Sequence, residues 1–245
     1  MNQLNAILHH RATLATLEVT VLWSVVTILL YWLVKYFYKK LPRWWTAPLI
    51  LTPVLLIAIT ILSHTDYTVY IAGTHWLVVL LGPATVAFAV PIYRQRALVH
   101  RYWKTLIVGV VFGSGVSIAS AWMLATTLGL SGNLRLSLLP RSISTPFAMT
   151  VSGEIGGIPE LTAIFVIITG IVGASFGESV LYILPLRSAL ARGSSFGMGA
   201  HVLGSKKAHE IGPEEGAVAG LVMVLTGIFN VLAAPLLELV LKTQG

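Results

Sequence analysis

The amino-acid sequence predicts an all-α polytopic membrane protein of about six to eight transmembrane helices, some of them broken or re-entrant and arranged as an inverted repeat. Three observations predict this class. Hydrophobic residues make up 56% of the 245 positions and charged residues only 10%, whereas soluble domains carry roughly 25% charged residues. The mean hydropathy is +0.84. Long apolar runs recur with short connectors between them, so we expect one integral membrane domain over residues 1–245.

Charge and cysteine count narrow the function classes. The net charge is +7, and the Lys and Arg residues cluster in connectors at 35–43 and 94–104. This is the pattern of the positive-inside rule and not of a nucleic-acid surface, so we expect no nucleic-acid partner. It places both connectors in the cytoplasm and the N-terminus outside, in a multi-pass protein of the cytoplasmic membrane. The chain has no cysteine, which excludes disulfides, thiol nucleophiles and Cys-ligated metals.

The apolar runs are long enough to cross a bilayer, which takes about 20 residues. They cover residues 14–38, 46–63, 67–93, 105–128, 158–184 and 217–241. The third run contains Gly82-Pro83 and Pro91. Because proline disrupts a helix interior, we expect two half-helices or a kinked span here, broken at Gly82-Pro83 and ended by Pro91.

Two segments are too polar and too rich in helix breakers to cross lipid as regular helices. The first, at 137–152, contains "PRSISTP", and the Lys and Arg count of the later connectors favours a re-entrant hairpin over a full crossing. Irregular backbone at membrane depth is tolerated only where it is buried in protein or lines a wet cavity. Arg141, Ser142, Ser144 and Thr145 therefore predict a cradle for a small organic anion, since guanidinium and hydroxyl groups suit a carboxylate. The alternative is that Arg141 snorkels to a headgroup.

The second segment, at 193–212, is glycine-rich and contains His201 and Ser205. We expect both at the substrate path, together with Gly82 and Thr85 at the break of the third run. A lone histidine between glycines also fits a purely structural hydrogen-bonding role, and that alternative stays open.

Coupling to H⁺ or Na⁺ would use polar groups inside the spans, and no other cofactor or metal is expected. The candidates are Glu178, His201 and Asn230. Glu178 could equally lie among headgroups, and Asn230 could join two helices by hydrogen bonds.

The sequence matches known catalytic motifs only in part, and we expect that the protein is not an enzyme. "GSSFG" at 193–197 matches the serine-hydrolase G-x-S-x-G letters but follows no strand. His209 and Glu210 do not form H-E-x-x-H.

A short internal echo supports the inverted repeat. "EIGGIPELTAIFVIITGI" begins at Glu154 and "EIGPEEGAVAGLVMVLTGI" begins at Glu210. Each follows a broken polar segment and leads into a span, which is the inverted-repeat, broken-helix pattern of secondary transporters.

Four ordered blocks carry a family resemblance: "LLGPATVAFAVPIY", "LLPRSISTPFAM", "GGIPELTAIFVIITGIVGA" and "GMGAHVLGSKKAHEIGPEEGAVAGLVM". They resemble the LrgB/CidB family over about residues 20–245. Here Arg141 and Ser144 replace the Lys and Thr that are usual in the family's Lys-Ser-x-Thr-Thr-Pro block, which keeps charge and hydroxyl. The Lys206 that follows the His201 block is a further departure, and it leaves the role of that loop open.

The resemblance implies two functions of different class. The first is secondary transport of small monocarboxylates, 2-hydroxy or 2-oxo acids such as glycolate, glycerate or pyruvate, as in the related plastid glycolate/glycerate translocator. The second is an antiholin- or holin-like regulation of murein hydrolase activity and cell lysis. The expected partners are membrane lipid, the organic acid, a small LrgA/CidA-type membrane protein and a second copy of the chain. Uptake of labelled acid by this chain alone separates the two functions.

Overall fold

The computed structural model describes residues 2–43, 46–184 and 186–242, and side chains from residue 18 to 241 within those ranges. All regular elements in the described part are helices, as the sequence predicts. Five helical stretches are long and apolar enough to cross a membrane: Glu18–Lys40, Tyr67–Arg94, Arg96–Thr127, Pro159–Ile183 and Pro213–Leu241. A shorter apolar helix spans Pro48–Leu62. The all-α polytopic membrane class is therefore confirmed.

The helices form two compact units, residues 1–81 and 82–245, and each has its own internal contacts. The expectation of one membrane domain stays a prediction.

The first unit contains α1 (Asn2–Lys40), α2 (Pro48–Leu62) and α3 (Tyr67–Val79). Gly73 on α3 lets the backbone of α1 approach closely, since a Cβ at this position would lie 3.1 Å from the Val19 carbonyl oxygen. Ser24 then donates to the Gly73 carbonyl at 2.9 Å and accepts from the Trp76 indole at 2.7 Å. These bonds fix the register of α1 against α3.

The second unit begins with the end of the predicted third span. Its helices α4 (Leu81–Ala87) and α5 (Ala89–Arg94) follow α3, with interruptions at Leu80 and Phe88. The expectation of a broken span is right, and the first interruption lies two residues before the expected break at Gly82-Pro83. The expected end at Pro91 is wrong, because α5 continues to Arg94. Pro83 and Pro91 each lie in the first turn of a short helix, where a missing N–H costs nothing because that N–H has no intrahelical acceptor.

The next helix, α6 (Arg96–Thr127), starts nine residues before the predicted span at 105–128. Most of the basic stretch at 94–104 is therefore helical and not a connector. Tyr102 has non-helical dihedral angles (φ −117°, ψ 19°) and kinks α6 between its basic first turns and its apolar remainder.

The remaining helices are α7 (Gly132–Leu138), α8 (Thr145–Glu154), α9 (Pro159–Ile183), α10 (Ala189–Gly199), α11 (His201–Ile211) and α12 (Pro213–Lys242). The predicted spans at 158–184 and 217–241 correspond to α9 and α12. The two polar segments correspond to α7–α8 and α10–α11, which we call the first and second hairpins. Their tips are residues 139–144 and 199–201.

The second hairpin runs along the N-terminal half of α12. Along α10, from its N-terminus to its C-terminus, Gly193 contacts Val218 and Gly197 contacts Ala219 of α12. Along α11, which runs in the opposite direction, Ser205 lies beside Met223 and His209 lies beside Gly216 of α12. The chain therefore enters and returns on the same side of the unit, and its tip lies near the middle of α12.

The first hairpin packs on the other half of α12. Phe147 on α8 contacts Gly227, and α8 shares a buried core with Val231, Ala234 and Leu237. The two hairpins thus enter from opposite ends of α12 and their tips approach its middle. Both "EIG" turns have equivalent places: one joins α8 to α9 and the other joins α11 to α12.

The two hairpin-plus-span units have opposite directions. Gly173 and Gly177 on α9 contact Ala200 and Phe196, so α9 runs antiparallel to α10. Since α10 runs parallel to α12, α9 and α12 are antiparallel. This is the inverted arrangement that the sequence echo indicates.

Candidate functional site

A buried hydroxyl network holds the arms of the first hairpin to α9. The Thr162 hydroxyl lies 2.9 Å from the Ser137 carbonyl oxygen on α7 and 2.7 Å from the Ser152 hydroxyl on α8. The Ile158 amide donates to the Ser137 hydroxyl at 2.7 Å. Ser137, Ser152 and Thr162 have no exposed surface. Because both arms bond to one residue of α9, the tip between them has a defined position.

Arg141 lies in the tip of the first hairpin. Its Nη2 donates to the Ser120 hydroxyl on α6 at 3.3 Å, and its Nε is buried without a hydrogen-bond partner. None of the ion pairs among the described residues includes Arg141. It lines a cavity of about 290 Å³ together with Thr169 and Gly173 of α9. A guanidinium that still has an N–H donor without an acceptor therefore lines a space large enough for a small anion.

The hydroxyls beside Arg141 have different surroundings. Ser142 accepts a hydrogen bond from Ser117 of α6 at 2.6 Å and lines a second cavity of about 780 Å³. Ser144 is fully buried, and its hydroxyl has no hydrogen-bond partner among the described residues. It precedes α8 but does not cap it, so the first N–H groups of α8 have no side-chain acceptor from this residue. Thr145 is the half-buried first residue of α8.

His201 lies in the tip of the second hairpin with a positive φ of 39°. It is 4% exposed, and within the described part of the chain its Nε2 has no hydrogen-bond partner. Its ring packs against Gly170 of α9, where a Cβ would come 2.5 Å from Cε1. A left-handed non-glycine residue in a buried tip is a strained conformation, which is typical of functional sites.

The two tips lie side by side. Gly199 lines the 290 Å³ cavity with Arg141 and also the 780 Å³ cavity with Ser142. Met198 packs on Gly113 of α6, which has no side chain to keep it away. The structure thus brings Arg141, Ser142 and the Gly199–His201 tip into one region at mid-depth of the unit.

The other predicted site residues lie further away. Gly82 and Thr85 belong to α4, and neither is among the residues that line the two cavities. Ser205 faces Met223 of α12, with 3.9 Å between Oγ and Sδ. The Glu178 side chain is 55% exposed and forms a 3.0 Å ion pair with Lys207, which also pairs with Glu210.

Asn230 is buried between helices. Its Nδ2 donates to the Ser114 hydroxyl of α6 at 2.9 Å and to the Thr226 carbonyl at 2.8 Å. This is the geometry of an amide that joins two helices, and Asn230 also lines a small pocket together with residues of the first tip.

Sequence reasoning missed the serine face of α6. Ser114, Ser117 and Ser120 recur every three residues, and all three contact groups at or near the first tip. The signal was present in "SGVSIAS", because residues three apart share one face of a helix.

Comparison with known proteins places the chain in a family. The model of the LrgB-like family matches residues 27–239. A Bacillus subtilis (strain 168) protein described as uncharacterized protein YwbG is 38% identical over 211 residues, covering 86% of this chain and 94% of the relative. A second from the same strain, uncharacterized protein YxaC, is 32% identical and covers 89% and 95%. An uncharacterized Haemophilus influenzae protein is 35% identical and covers 87% and 93%. The chain matches no solved structure. It belongs to the LrgB-like family, and the resemblance seen in its sequence is confirmed.

Proposed function

We propose that this protein is a secondary transporter of small monocarboxylates, 2-hydroxy or 2-oxo acids such as glycolate, glycerate or pyruvate, across the cytoplasmic membrane. The observation that carries the proposal is Arg141, a charged side chain in a re-entrant tip that has no acidic partner among the described residues and lines a cavity. Such a residue within the membrane marks a functional site by default.

The energetics favour an anion beside this side chain. A guanidinium at mid-depth costs at least about 2.5 kcal/mol on insertion scales. The only described hydrogen bond of the Arg141 side chain goes to a neutral hydroxyl at 3.3 Å. Two charge-assisted bonds to a carboxylate, at about 1.5–3 kcal/mol each, would offset the cost. Ser144 and His201 add buried polar atoms that have no partner among the described residues, although neither lines the cavity that contains Arg141.

The hairpin arrangement supports transport over a simple pore. The two helical hairpins pack on different halves of α12 and their tips meet near its middle, so a different hairpin lies on each side of the tips. Alternating access requires such a pair of barriers around one fixed site.

The test uses variants of Arg141 with a matched control. Arg141→Lys keeps the charge but loses the planar fork, so acid affinity should fall while some uptake remains. Arg141→Gln removes the charge and should abolish saturable uptake of labelled glycolate or pyruvate into proteoliposomes. The control is Arg101→Gln, because Arg101 is exposed and its guanidinium lies over the Tyr102 ring. It should transport like wild type.

Thermal stabilisation of the purified protein by the acid gives an independent readout of binding. Wild type and Arg101→Gln should be stabilised, and Arg141→Gln should not. Equal stabilisation of Arg141→Gln would remove Arg141 from the site, and with it the roles of Ser142 and Thr145.

The alternative function is regulation of murein hydrolase activity as an antiholin-like protein, with a small LrgA/CidA-type partner. It rests on the family resemblance alone and needs no charged tip. Absence of acid uptake and acid binding by this chain alone would favour it.

A further inference from the structure

A small pocket lies beside the first tip, and none of its lining residues is shared with the cavity that contains Arg141. Its volume is about 10 Å³, which is the space of about one water-sized sphere. Its polar lining is Ser114 and Ser117 of α6, Ser142 of the tip, and Thr226 and Asn230 of α12. Leu139, Pro140, Ile143 and Met198 are among the apolar residues that close it.

The hydrogen bonds around the pocket occupy its side-chain N–H donors and leave oxygen lone pairs free. Both Nδ2 hydrogens of Asn230 have acceptors, in Ser114 and the Thr226 carbonyl, so its Oδ1 remains as an acceptor. The Thr226 hydroxyl donates to the Val222 carbonyl at 2.7 Å, and the Ser117 hydroxyl donates to Ser142. The oxygen lone pairs of these groups are left over. A cluster rich in oxygen lone pairs and poor in free N–H donors suits a cation.

The pocket has the chemistry of a monovalent cation site. The polar side chains that line it offer hydroxyl and amide oxygens and one nitrogen, the Asn230 Nδ2, whose two hydrogens already have acceptors. None of the described residues that line the pocket carries a carboxylate. Mg²⁺ and Ca²⁺ sites are built around carboxylates, and the described residues include no group of three or more His, Asp or Glu placed to hold a metal. A space of one water molecule also admits Na⁺ more readily than the larger K⁺.

We propose that this pocket binds Na⁺ and that the ion binds cooperatively with the organic acid. The coupling rests on the proposed function, because Ser142 in the pocket is adjacent to Arg141 at the acid site. An unpaired guanidinium repels a cation close by, and a carboxylate on Arg141 removes that repulsion. Na⁺ on Ser142 in turn holds the tip in the conformation that presents Arg141. Such coupling is reciprocal: each ligand tightens the other by the same factor.

The first experiment uses the purified wild-type protein and therefore does not depend on how a variant folds. Thermal stability is measured in NaCl, KCl and choline chloride at equal ionic strength, with and without glycolate. Na⁺ alone should raise the melting temperature above the values in K⁺ and choline, and glycolate should bind more tightly in Na⁺. Equal stability in the three salts would overturn the proposal and identify the pocket as a water site.

The second experiment removes one of the hydroxyl groups that would coordinate the Na⁺ ion. Ser114→Ala deletes a pocket hydroxyl and should weaken Na⁺ binding by about tenfold. The control is Thr126→Val on the same helix, whose exposed hydroxyl bonds only the Trp122 carbonyl, at 2.9 Å. It should keep the wild-type response to Na⁺. A full Na⁺ response in Ser114→Ala would place the ion elsewhere and overturn the assignment.

The two proposals fail in different ways. Acid binding and uptake that are the same in Na⁺ and choline would refute the Na⁺ site and leave the transport function standing. Stabilisation by Na⁺ without any effect of acid would refute the transport function and its coupling while the ion site stands.

Discussion

The Thr162 hydroxyl is the shared anchor of the first hairpin, and its removal gives a sharp prediction. Thr162→Val keeps the branched shape and deletes the oxygen that lies 2.9 Å from the Ser137 carbonyl and 2.7 Å from the Ser152 hydroxyl. All three residues are fully buried, so water cannot replace the lost bonds. The change therefore acts on hydrogen bonding and hardly on packing.

The loss in the free energy of unfolding follows from the polar groups that the substitution leaves without a hydrogen-bond partner. A buried polar group that loses its partner costs about 1–3 kcal/mol. The Ser152 hydroxyl can rotate toward another acceptor, but the Ser137 carbonyl cannot, so we expect a loss of about 2 kcal/mol in the free energy of unfolding. The matched control is Thr150→Val on α8, an exposed residue whose hydroxyl bonds only the Pro146 carbonyl at 3.0 Å. It should change stability by less than about 0.5 kcal/mol.

The assay is SDS-induced unfolding in mixed micelles, followed by tryptophan fluorescence. Trp122 reports on α7 directly, because the Arg135 guanidinium stacks 4.2 Å from its ring centroid. Thr162→Val should unfold at lower SDS and should also lose part of the stabilisation by glycolate, since the tip carries Arg141. If Thr162→Val and Thr150→Val unfold alike, the buried network does not hold the hairpin and the reasoning is refuted.

Three further predictions concern the second tip and the topology. His201→Ala should reduce acid uptake with the folded protein retained, because it removes the buried Nε2; wild-type uptake would assign His201 a purely structural role. Gly113→Ala places a methyl group on the Met198 side chain and should lower uptake, and the second change Met198→Ala should restore it; no effect of Gly113→Ala would show that this contact is irrelevant to transport. Single cysteines at Lys39 and Arg96, in this cysteine-free chain, should resist an impermeant reagent applied from outside, and external labelling at 96 would overturn the orientation.

Local rules predicted much of the fold. Spans, broken segments and the repeat all follow from hydropathy, prolines and the two "EIG" stretches, because these depend on neighbours in the chain. The break expected at Gly82-Pro83 occurs two residues earlier, at Leu80, and the span does not end at Pro91 but continues to Arg94. A proline in isolation does not reveal whether it interrupts a helix or starts one, and both Pro83 and Pro91 lie in first turns.

The candidate site was harder to predict, because its contacts connect distant parts of the chain. Arg141 and its neighbouring hydroxyls could be identified from their cost in a membrane. The hydrogen-bond partners of the site residues could not be identified in this way. Ser142 bonds a residue 25 positions away in the sequence, and Asn230 bonds Ser114 across 116 positions. Which face of α6 points at the tip depends on the packing of α6 against α12, and no local pattern fixes that register.

The glycine contacts of the second hairpin set which parts can move together. Gly193 and Gly197 bring α10 onto the backbone of α12, where the neighbouring side chain is that of Val218, which is short and branched and adapts little to sliding. Toward α6 the same hairpin makes its Gly113 contact through the long side chain of Met198, which can change rotamer at little cost. The joint with α12 is therefore stiff and the joint with α6 is compliant. A small shift of the second hairpin against α6 would be absorbed at Met198, while α12 itself stays joined to α6 through the Asn230–Ser114 bond.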